Sequence, residues 1–467
     1  MIFEENKQAK NANRITIPRM PTPNSAVSNT YRSIWNISYP IIIGLVAQNL
    51  MVVIDTAFLG RLGEVSLGAA AIGGLFYLTL VMFGAGFAIG MQIIIGRRNG
   101  EGRQRTIGRI FDHGLYFMVG MALLLILFLS LAGPSLLGRF ISSPAILEQS
   151  LVFISYRRFG YFFGFLIMVF NSFYVGIVRT RMVSVATIIM ATSNIVLDYG
   201  LIFGKLGLPE MGISGAALAT NLAEFITFLF YLLWSFKNKC ISSFRLLRFH
   251  KPRKRLYDDL LKLSLPVMLQ HFISFSAWFI FFMILEKIGE TALAASNITR
   301  SIYMLLMIPV WGLSSATTTL VSNIIGQGKS DEVMPMIKKI MTISFIANLL
   351  LIQVLIFFPR TVISFFTQSP ELVEATLPLL RVITLSLTVF SVSMIIFSAL
   401  SGTGKTGTAL RIEVISIILY LLFAFILAVG FDAPASGVWF VEVLYFTVIG
   451  VFAYIFLKRG TWKELVV

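Results

Sequence analysis

Two aspartates and an asparagine in apolar segments are the side chains best suited to bind a cation inside a membrane. Asp55 lies in the run VVIDT and Asp198 in the run NIVLD, where Asn194 is four residues earlier and so shares a helix face with it. Ionisable groups within a bilayer are costly and usually face a cavity or the interior of the helix bundle. Two carboxylates and an amide oxygen could coordinate Na⁺. Alternatively, two neighbouring carboxylates disfavour double ionisation, so one would carry a proton.

The elements that must position these residues are membrane-spanning helices. The chain has 467 residues, of which 57% are hydrophobic and 13% charged, a composition typical of an all-α integral membrane protein. Apolar runs long enough to cross a bilayer recur along it. We predict twelve spans, at residues 34–59, 66–95, 107–132, 150–177, 181–203, 212–236, 258–285, 291–324, 336–358, 373–400, 406–430 and 434–457. The single cysteine, Cys240, excludes an intramolecular disulfide, and with three scattered histidines it disfavours a structural zinc site.

Lysine and arginine are concentrated in every second connection and in both tails, whereas the other connections have at most one each. This bias places the even-numbered connections and both termini in the cytoplasm. It also accounts for most of the net charge of +16, so we expect no nucleic-acid partner. Attraction of these basic connections to anionic lipid headgroups is expected instead.

The sequence is repeated internally. Placing Pro40 on Pro266 without a gap, which we call the repeat alignment, also carries Gly86 to Gly312 and the run GEG at 100–102 to GQG at 326–328. Each half has six spans, so both halves start on the same side and the repeat is parallel, as in secondary transporters whose substrate path runs between two lobes. The expected organisation is a cytoplasmic tail (1–33), a six-helix lobe (34–236), a basic linker with a short amphipathic helix (237–257), a second six-helix lobe (258–457) and a cytoplasmic tail (458–467).

The repeat also serves as a control on the two aspartates. In the repeat alignment Asp55 falls on Phe281 and Asp198 falls on Ala424. A local alignment, set by placing Gly215 on Gly437, puts Asp198 on Tyr420 instead. Acids needed only for folding symmetry would be expected in both halves. Their absence from these places in the second half favours a specialised ion site in the first half.

Several other groups are weaker candidates. Glu224 in span 6 is either a second proton site or the partner of an arginine. Pro40, fifteen residues before Asp55, removes a helix hydrogen bond and could bend span 1. Glu413, near a span end, needs no special role. Four arginines line a cavity, pair with acids or extend to headgroups: Arg157, Arg158, Arg300 and Arg381. Soft or aromatic side chains that either surround an apolar cavity or face lipid and neighbouring helices are Met190, Phe279, Phe282, Met283, Met304, Met307 and Trp311.

From about residue 34 to 457, the chain resembles the multidrug and toxic compound extrusion (MATE) family. The resemblance rests on Pro40 and Asp55-Thr56, on the duplicated glycine-rich runs at 100–102 and 326–329, on NIVLD followed by LIFG at 201–204, and on GISGAA at 212–217. It implies an antiporter that expels organic cations, driven by entry of Na⁺ or H⁺.

In members of that family, acids matching Asp55 and Asp198 and an amide matching Asn194 form the first-half site, joined in some by a span 6 threonine whose counterpart is Thr220. Some branches instead use a span 7 glutamate eight residues after the proline, where this chain has Ser274. The pattern therefore looks closer to the DinF-like or archaeal-type branch.

The sequence as a whole predicts a monomeric, multi-pass antiporter of the cell inner membrane that works by alternating access. We expect no catalytic residues and no cofactor beyond the coupling H⁺ or Na⁺. The alternative is a lipid-linked precursor flippase of the same superfamily, which would need cationic side chains in its cavity for a phosphate headgroup. A membrane-embedded enzyme is disfavoured because no nucleophile, base or metal-ligand cluster is found, and a channel is disfavoured by the repeat.

Overall fold

The fold is entirely helical in the part of the chain that the structure describes. A computed structural model describes residues 28–463, which form helices and connecting turns with no β-strand in that range. Most of the two predicted tails, residues 1–27 and 464–467, lies outside the described residues.

The first lobe contains eight helices that make six membrane crossings. They are α1 (Tyr31–Arg61), α2 (Glu64–Gly100), α3 (Gln104–Leu131), α4 (Gly133–Phe140), α5 (Pro144–Arg157), α6 (Gly160–Gly176), α7 (Arg181–Phe203) and α8 (Gly212–Lys237). The short helix α4 connects α3 to α5, and α5 and α6 together form one bent crossing.

The bend between α5 and α6 departs from the single straight span predicted for residues 150–177. The two helices meet at 49° across a break at Arg158 and Phe159. A Cβ atom on Gly160 would lie 1.6 Å from Arg157 Nη1 and 2.6 Å from Asn221 Oδ1. Glycine is therefore required where the Arg157 side chain turns into the lobe, and apolar periodicity does not reveal this local constraint.

The second lobe follows a linker that contains the five-residue helix α9 (Cys240–Phe244). Its helices are α10 (Lys254–Glu286), α11 (Glu290–Gly326), α12 (Val333–Phe357), α13 (Pro359–Ser364), α14 (Pro370–Gly402), α15 (Thr406–Phe425), α16 (Ala435–Trp439) and α17 (Val441–Arg459). A 3₁₀ turn (Ser330–Glu332) precedes α12 and a π turn (Ile426–Gly430) extends α15. Within the described residues, eleven segments are long and apolar enough to span a membrane, and α5 with α6 makes the twelfth. The prediction of twelve spans is confirmed.

Equivalent helices pack together in the two lobes. In the first lobe α1 packs on α7, α7 on α8, and α2 on α6. In the second, α10 packs on α15, α15 on α17, and α11 on α14. Contacts between the lobes run through α2, which packs on α10 and α11, and through α1, which packs on α11. The internal repeat of the sequence is therefore a repeat of helix packing.

The seam between the lobes depends on glycines related by the repeat. A Cβ atom on Gly86 of α2 would lie 2.4 Å from Met268 Cα of α10. One on Gly312 of α11 would lie 2.5 Å from Ile42 Cγ1 of α1. The repeat alignment converts the first contact into the second, so one close approach is used twice. Small residues of this kind let helix backbones approach within the membrane.

The pseudo-twofold axis passes between Gly100 and Gly326. A Cβ atom on either glycine would lie about 3 Å from the Cα of the other. Beside this point, Gln92 Nε2 donates a hydrogen bond of 2.8 Å to Thr319 Oγ1 across the seam. The lobes therefore meet closely at the ends of α2 and α11.

The linker between the lobes is fastened to α3. Asp112 of α3 accepts hydrogen bonds from the backbone N–H groups of Leu247 (2.9 Å) and His250 (3.2 Å), and its Oδ2 lies 2.7 Å from His250 Nδ1. The neighbouring His113 Nε2 accepts from the backbone N–H of Arg253 at 3.0 Å. These bonds hold the stretch after α9, whose Cys240 and Phe244 are buried.

Replacing Gly86 by valine should separate the lobes and lower stability. The added side chain would overlap the α10 backbone, and overpacking of this kind costs about 1–3 kcal/mol. Thermal unfolding of the detergent-solubilised protein measures the loss. Gly120→Ala on α3 is the matched control, because nothing lies within 4 Å of an added Cβ there. Equal melting of Gly86→Val and the wild type would contradict the close approach.

Candidate functional site

The predicted site residues meet in a cavity of the first lobe. This cavity, of about 500 Å³, is enclosed by α1, α2, α5, α6, α7 and α8. Its lining includes Asp55, Asp198, Thr220 and Glu224, and also Arg157. Asn194 stands behind the lining, fully buried, and its Nδ2 donates to Thr220 Oγ1 at 3.3 Å.

The two aspartates lie side by side although they come from different helices. Asp55 is on α1 and Asp198 on α7, and their carboxyl groups line the same cavity close enough to interact electrostatically. Asp198 is completely shielded from solvent. In the described residues, neither carboxyl has a lysine or arginine within ion-pair distance. Asp55 and Asp198 are therefore neighbouring acids that form no salt bridge with any described lysine or arginine.

Four oxygen atoms in this place have no hydrogen-bond donor. They are Asp55 Oδ1, Asp198 Oδ1 and Oδ2, and Asn194 Oδ1, all sealed from solvent. The Asn194 amide is oriented through Thr220, which accepts from its Nδ2 and in turn donates to the Ala216 carbonyl at 3.0 Å. Leaving buried acceptors unsatisfied costs about 1–3 kcal/mol each. A proton or a small hard cation would satisfy them, since oxygen donors suit Na⁺.

The donor set does not resemble a transition-metal site. Among residues 28–463, no group of three or more His, Cys, Asp or Glu side chains is placed to hold a metal ion. Two carboxylates with one amide oxygen are all hard donors, and thiolate or imidazole ligands are missing from the lining. The residues present therefore fit H⁺ or Na⁺ as the bound species.

The helices that carry the aspartates are joined at their other ends. Ser184 Oγ of α7 donates to the Pro40 carbonyl of α1 at 2.5 Å. A Cβ atom on Gly44 would lie 3.5 Å from Thr187 Oγ1, so the helices are close there as well. Pro40 lies within the continuous helix α1 and outside the cavity lining. Its place is at the joint of the two helices.

Glu224 is the partner of an arginine, one of the two roles that the sequence left open. Arg157 Nη2 lies 2.6 Å from Glu224 Oε1, and Nη1 lies 3.1 Å from Oε2, which makes the pair bidentate. Arg157 Nη1 also donates to Asn221 Oδ1 at 2.7 Å, and the guanidinium lies 4.1 Å from the centroid of the Tyr77 ring. The Arg157 guanidinium is thus paired with Glu224, Asn221 and the Tyr77 ring.

The second lobe has a cavity of similar size, about 510 Å³. It is enclosed by α10, α11, α14, α15 and α17, with one side formed by α2. Aromatic rings and methionines cover most of its wall: Trp278, Tyr303, Trp311, Phe390, Tyr420, Tyr445, Met82, Met304, Met307 and Met394. Three of the expected soft or aromatic residues, Met304, Met307 and Trp311, are among them, and Met190 lines the first cavity.

The remaining expected cavity residues on α10 do not line either cavity. Phe279 and Met283 are 58% and 52% exposed, because they lie on the outward face of the helix. Phe282 packs against Trp439 beside the second cavity. Phenylalanine and methionine are equally common on lipid-facing surfaces, so residue type alone left both faces open for these positions.

The sequence reasoning missed two glutamates of the second cavity. Glu413 and Glu442 are each 3% exposed and line it. No special role was predicted for Glu413, because it is near the end of its span. No prediction was made for Glu442. The local alignment could have found Glu442, since it carries Thr220 onto that position and Asp198 onto Tyr420. Buried acids are therefore not confined to the first lobe, although they occupy different positions in the second.

Breaking the Arg157–Glu224 pair from one side should be strongly destabilising. Arg157→Met leaves Glu224 buried without a counter-charge, which costs about 3–5 kcal/mol. Arg157→Met combined with Glu224→Leu should recover much of that loss, because neither charge remains. Urea or thermal unfolding measures both.

The matched control is the exposed pair of Arg360 and Glu374, with nitrogen and oxygen 2.8 Å apart. Removing it should change stability by no more than about 1 kcal/mol. If Arg157→Met has an effect as small as Arg360→Met, the ion pair is not buried as described.

Comparison with known proteins agrees with this architecture. The MatE family model matches residues 40–200 and 266–426, two stretches that the repeat alignment places on each other. The chain is 26% identical over 453 residues to the probable multidrug resistance protein NorM of Thermotoga maritima, and the alignment covers 95% of each chain.

Two solved structures share the fold. A transporter of the MOP superfamily from Pyrococcus furiosus, described as having a binding pocket of reversed polarity, superimposes with a TM-score of 0.86 at 22% identity, covering 92% of this chain and 96% of that one. The outward-facing form of a multidrug resistance MATE transporter gives 0.86 at 22% identity, covering 93% and 96%. Because the family model matches more than half of the chain, the protein belongs to the MatE family, whose members are membrane transporters rather than enzymes.

Proposed function

We propose that the protein is a secondary antiporter that exports hydrophobic organic cations in exchange for H⁺ or Na⁺. Family membership and a relative named as a multidrug resistance protein support drug efflux. The coupling ion binds between Asp55 and Asp198, with Asn194 and Thr220 completing the site. The two lobes, 34–236 and 258–457, expose the substrate path to each side of the membrane in turn.

The observation that carries this proposal is the group of unsatisfied oxygens where α1 meets α7. Four buried oxygen atoms from three side chains converge there without a donor. Glu224, in contrast, has both carboxylate oxygens paired with Arg157. A site left unsatisfied by the protein is one that a proton or Na⁺ can enter and leave.

Ion binding is coupled to lobe shape through the two helices. A proton or Na⁺ between the aspartates relieves their repulsion and so favours the arrangement in which α1 and α7 are close. Pro40, at the joint of these helices, lets α1 bend when the ion leaves. Exchange requires only that ion and drug differ in affinity for the two arrangements.

The charge of the cavities favours an organic cation as substrate. The first cavity has three carboxyl groups against one guanidinium, and the lining of the second has two carboxyl groups with no lysine or arginine. A lipid-linked phosphate would be repelled from both. A flippase would need cationic side chains in its cavity. Of the four arginines considered for this role, only Arg157 lines either of these two cavities, and it is paired with Glu224. The charge distribution thus favours the antiporter over the flippase.

The cellular location and the orientation in the membrane are inferred from the sequence. The protein is a multi-pass membrane protein, and we place both termini and the linker 237–257 on the cytoplasmic side of the cell inner membrane, following the distribution of lysine and arginine. Each chain holds both lobes and both cavities, so a monomer suffices for transport. Anionic lipid headgroups contact the basic connections.

The test is uptake of ethidium into proteoliposomes under an imposed pH or Na⁺ gradient. We expect gradient-driven uptake by the wild type and at least tenfold slower uptake by Asp198→Asn, because the amide cannot take up a proton and lacks the negative charge that would hold Na⁺. The gradient that works identifies the coupling ion. Glu371→Gln, on the surface, is the matched control and should transport normally. Uptake by Asp198→Asn at the wild-type rate, or no uptake under either gradient by folded protein, would refute the proposal.

A further inference from the structure

We infer that the second-lobe cavity is the organic-cation site, with Glu413 and Glu442 supplying its charge and the aromatic wall its affinity. The inference rests on the proposed function, which it deepens by assigning drug and coupling ion to different lobes. Nothing in the sequence comparison places a ligand at these two glutamates, which lie on α15 and α17.

Both glutamates are buried without a counter-charge. Glu413 Oε1 accepts from Ser274 Oγ at 2.5 Å and from Tyr445 Oη at 2.6 Å. No lysine or arginine is among the residues that line this cavity in the described chain. A buried carboxylate that has only neutral donors lacks the cation that normally accompanies it. The cavity therefore has a deficit of positive charge that a bound cation would remove.

Glu442 is held by three aromatic side chains. Its Oε1 accepts from Tyr420 Oη at 2.9 Å and from Trp278 Nε1 at 3.2 Å, and its Oε2 accepts from Tyr303 Oη at 3.5 Å. Glu442 Oε1 thus has two donors from the wall, whereas the contact of Oε2 with Tyr303 is longer and weaker. Coordination of Na⁺ by Oε1 would have to displace its two donors, in contrast to the oxygens of Asp198, which have none.

The wall suits a cation whose charge is spread over a large apolar body. Trp278, Trp311 and three tyrosines line the cavity, together with methionines. Ring faces attract cations, and methionine adapts its shape to varied apolar ligands. The volume of about 510 Å³ is that of a pocket for a drug-sized molecule.

Gln270 also lines this cavity. Its Oε1 is covered by the protein and has no hydrogen-bond partner, so rotation of the side-chain amide would bring an unpaired acceptor to a ligand in the cavity. His271 beside it uses Nδ1 to bond the Val267 carbonyl at 3.0 Å, which leaves Nε2 on the other side of the ring. An ammonium or amidinium N–H group on the ligand would satisfy Gln270. The ligand class is therefore an aromatic organic cation that carries a hydrogen-bond donor.

The two cavities occupy equivalent places in the two lobes, but their polar residues differ. Under the local alignment, the Asp198 and Thr220 positions of the first lobe hold Tyr420 and Glu442 in the second. In the first lobe, the Asp198 carboxyl has no hydrogen-bond donor and can bind a small ion. In the second lobe, the Glu442 carboxyl accepts a hydrogen bond from the Tyr420 hydroxyl. One architecture thus gives a small-ion site in one lobe and a site for a diffuse cation in the other.

Equilibrium binding of ethidium to purified protein in detergent, followed by fluorescence anisotropy without any gradient, tests this assignment. We expect Glu413→Gln and Glu442→Gln each to weaken binding at least about tenfold, which corresponds to loss of roughly 1.4 kcal/mol. Trp311→Leu, which leaves both carboxyl groups in place, should weaken it several-fold. The surface variant Glu371→Gln is the matched control for charge removal and should bind as the wild type does.

Three results would overturn the assignment. One is unchanged affinity in both glutamine variants, provided that they elute as monodisperse protein. Another is loss of binding in Asp198→Asn but not in the glutamate variants, which would place the drug in the first lobe. Absence of ethidium binding by the wild type would also refute it. Binding that behaves as expected, combined with no gradient-driven transport, would instead refute the antiporter and leave the site intact.

Discussion

A carboxyl group inside a membrane must be given a partner, because losing its hydration costs several kcal/mol that only a cation, a proton or strong donors can offset. This protein uses three solutions. Glu224 is paired with Arg157. Glu413 and Glu442 are surrounded by hydroxyl and indole donors. The pair of Asp55 and Asp198 is left with unsatisfied oxygens. We propose a different role for each: a structural role for the pair of Glu224 and Arg157, substrate binding for Glu413 and Glu442, and ion coupling for Asp55 and Asp198.

The repeat provides the frame in which these roles can differ. Close approach of glycines at the seam is used twice, once through Gly86 and once through Gly312. The same helix pairs pack in both lobes. Duplication thus fixes the backbone, while the side chains that face each cavity have diverged. Coupling between lobes follows from the seam, since α2 lines both cavities and packs on the second lobe.

Much of this architecture can be predicted from the sequence because membrane length and repetition are strong signals. The twelve spans follow from apolar runs, and the rarity of acids within a membrane led to a predicted site containing both Asp55 and Asp198, which line one cavity in the structure. The bend before Gly160 could not be predicted, since it depends on where the Arg157 guanidinium goes.

The two acids of the second cavity were hidden from sequence reasoning, although Met304, Met307 and Trp311 of its wall were expected. Glu413 and Glu442 come from different spans, and only the packing of α15 on α17 brings them together. The faces of α10 were equally ambiguous, because Phe279 and Met283 have the composition of a cavity wall but lie on the outer surface. Which face of an apolar helix is buried depends on its neighbours, and a uniformly apolar sequence does not encode it.

The most direct test of the central claim is the reverse reaction. Thermodynamic coupling is reciprocal, so a gradient of organic cation must drive the coupling ion in the opposite direction. Proteoliposomes containing a pH- or Na⁺-sensitive dye would be given an ethidium gradient with no ion gradient. We predict movement of H⁺ or Na⁺ against the flow of ethidium in the wild type and none in Asp55→Asn. Ethidium flux without ion movement, or equal ion movement in Asp55→Asn, would contradict the account.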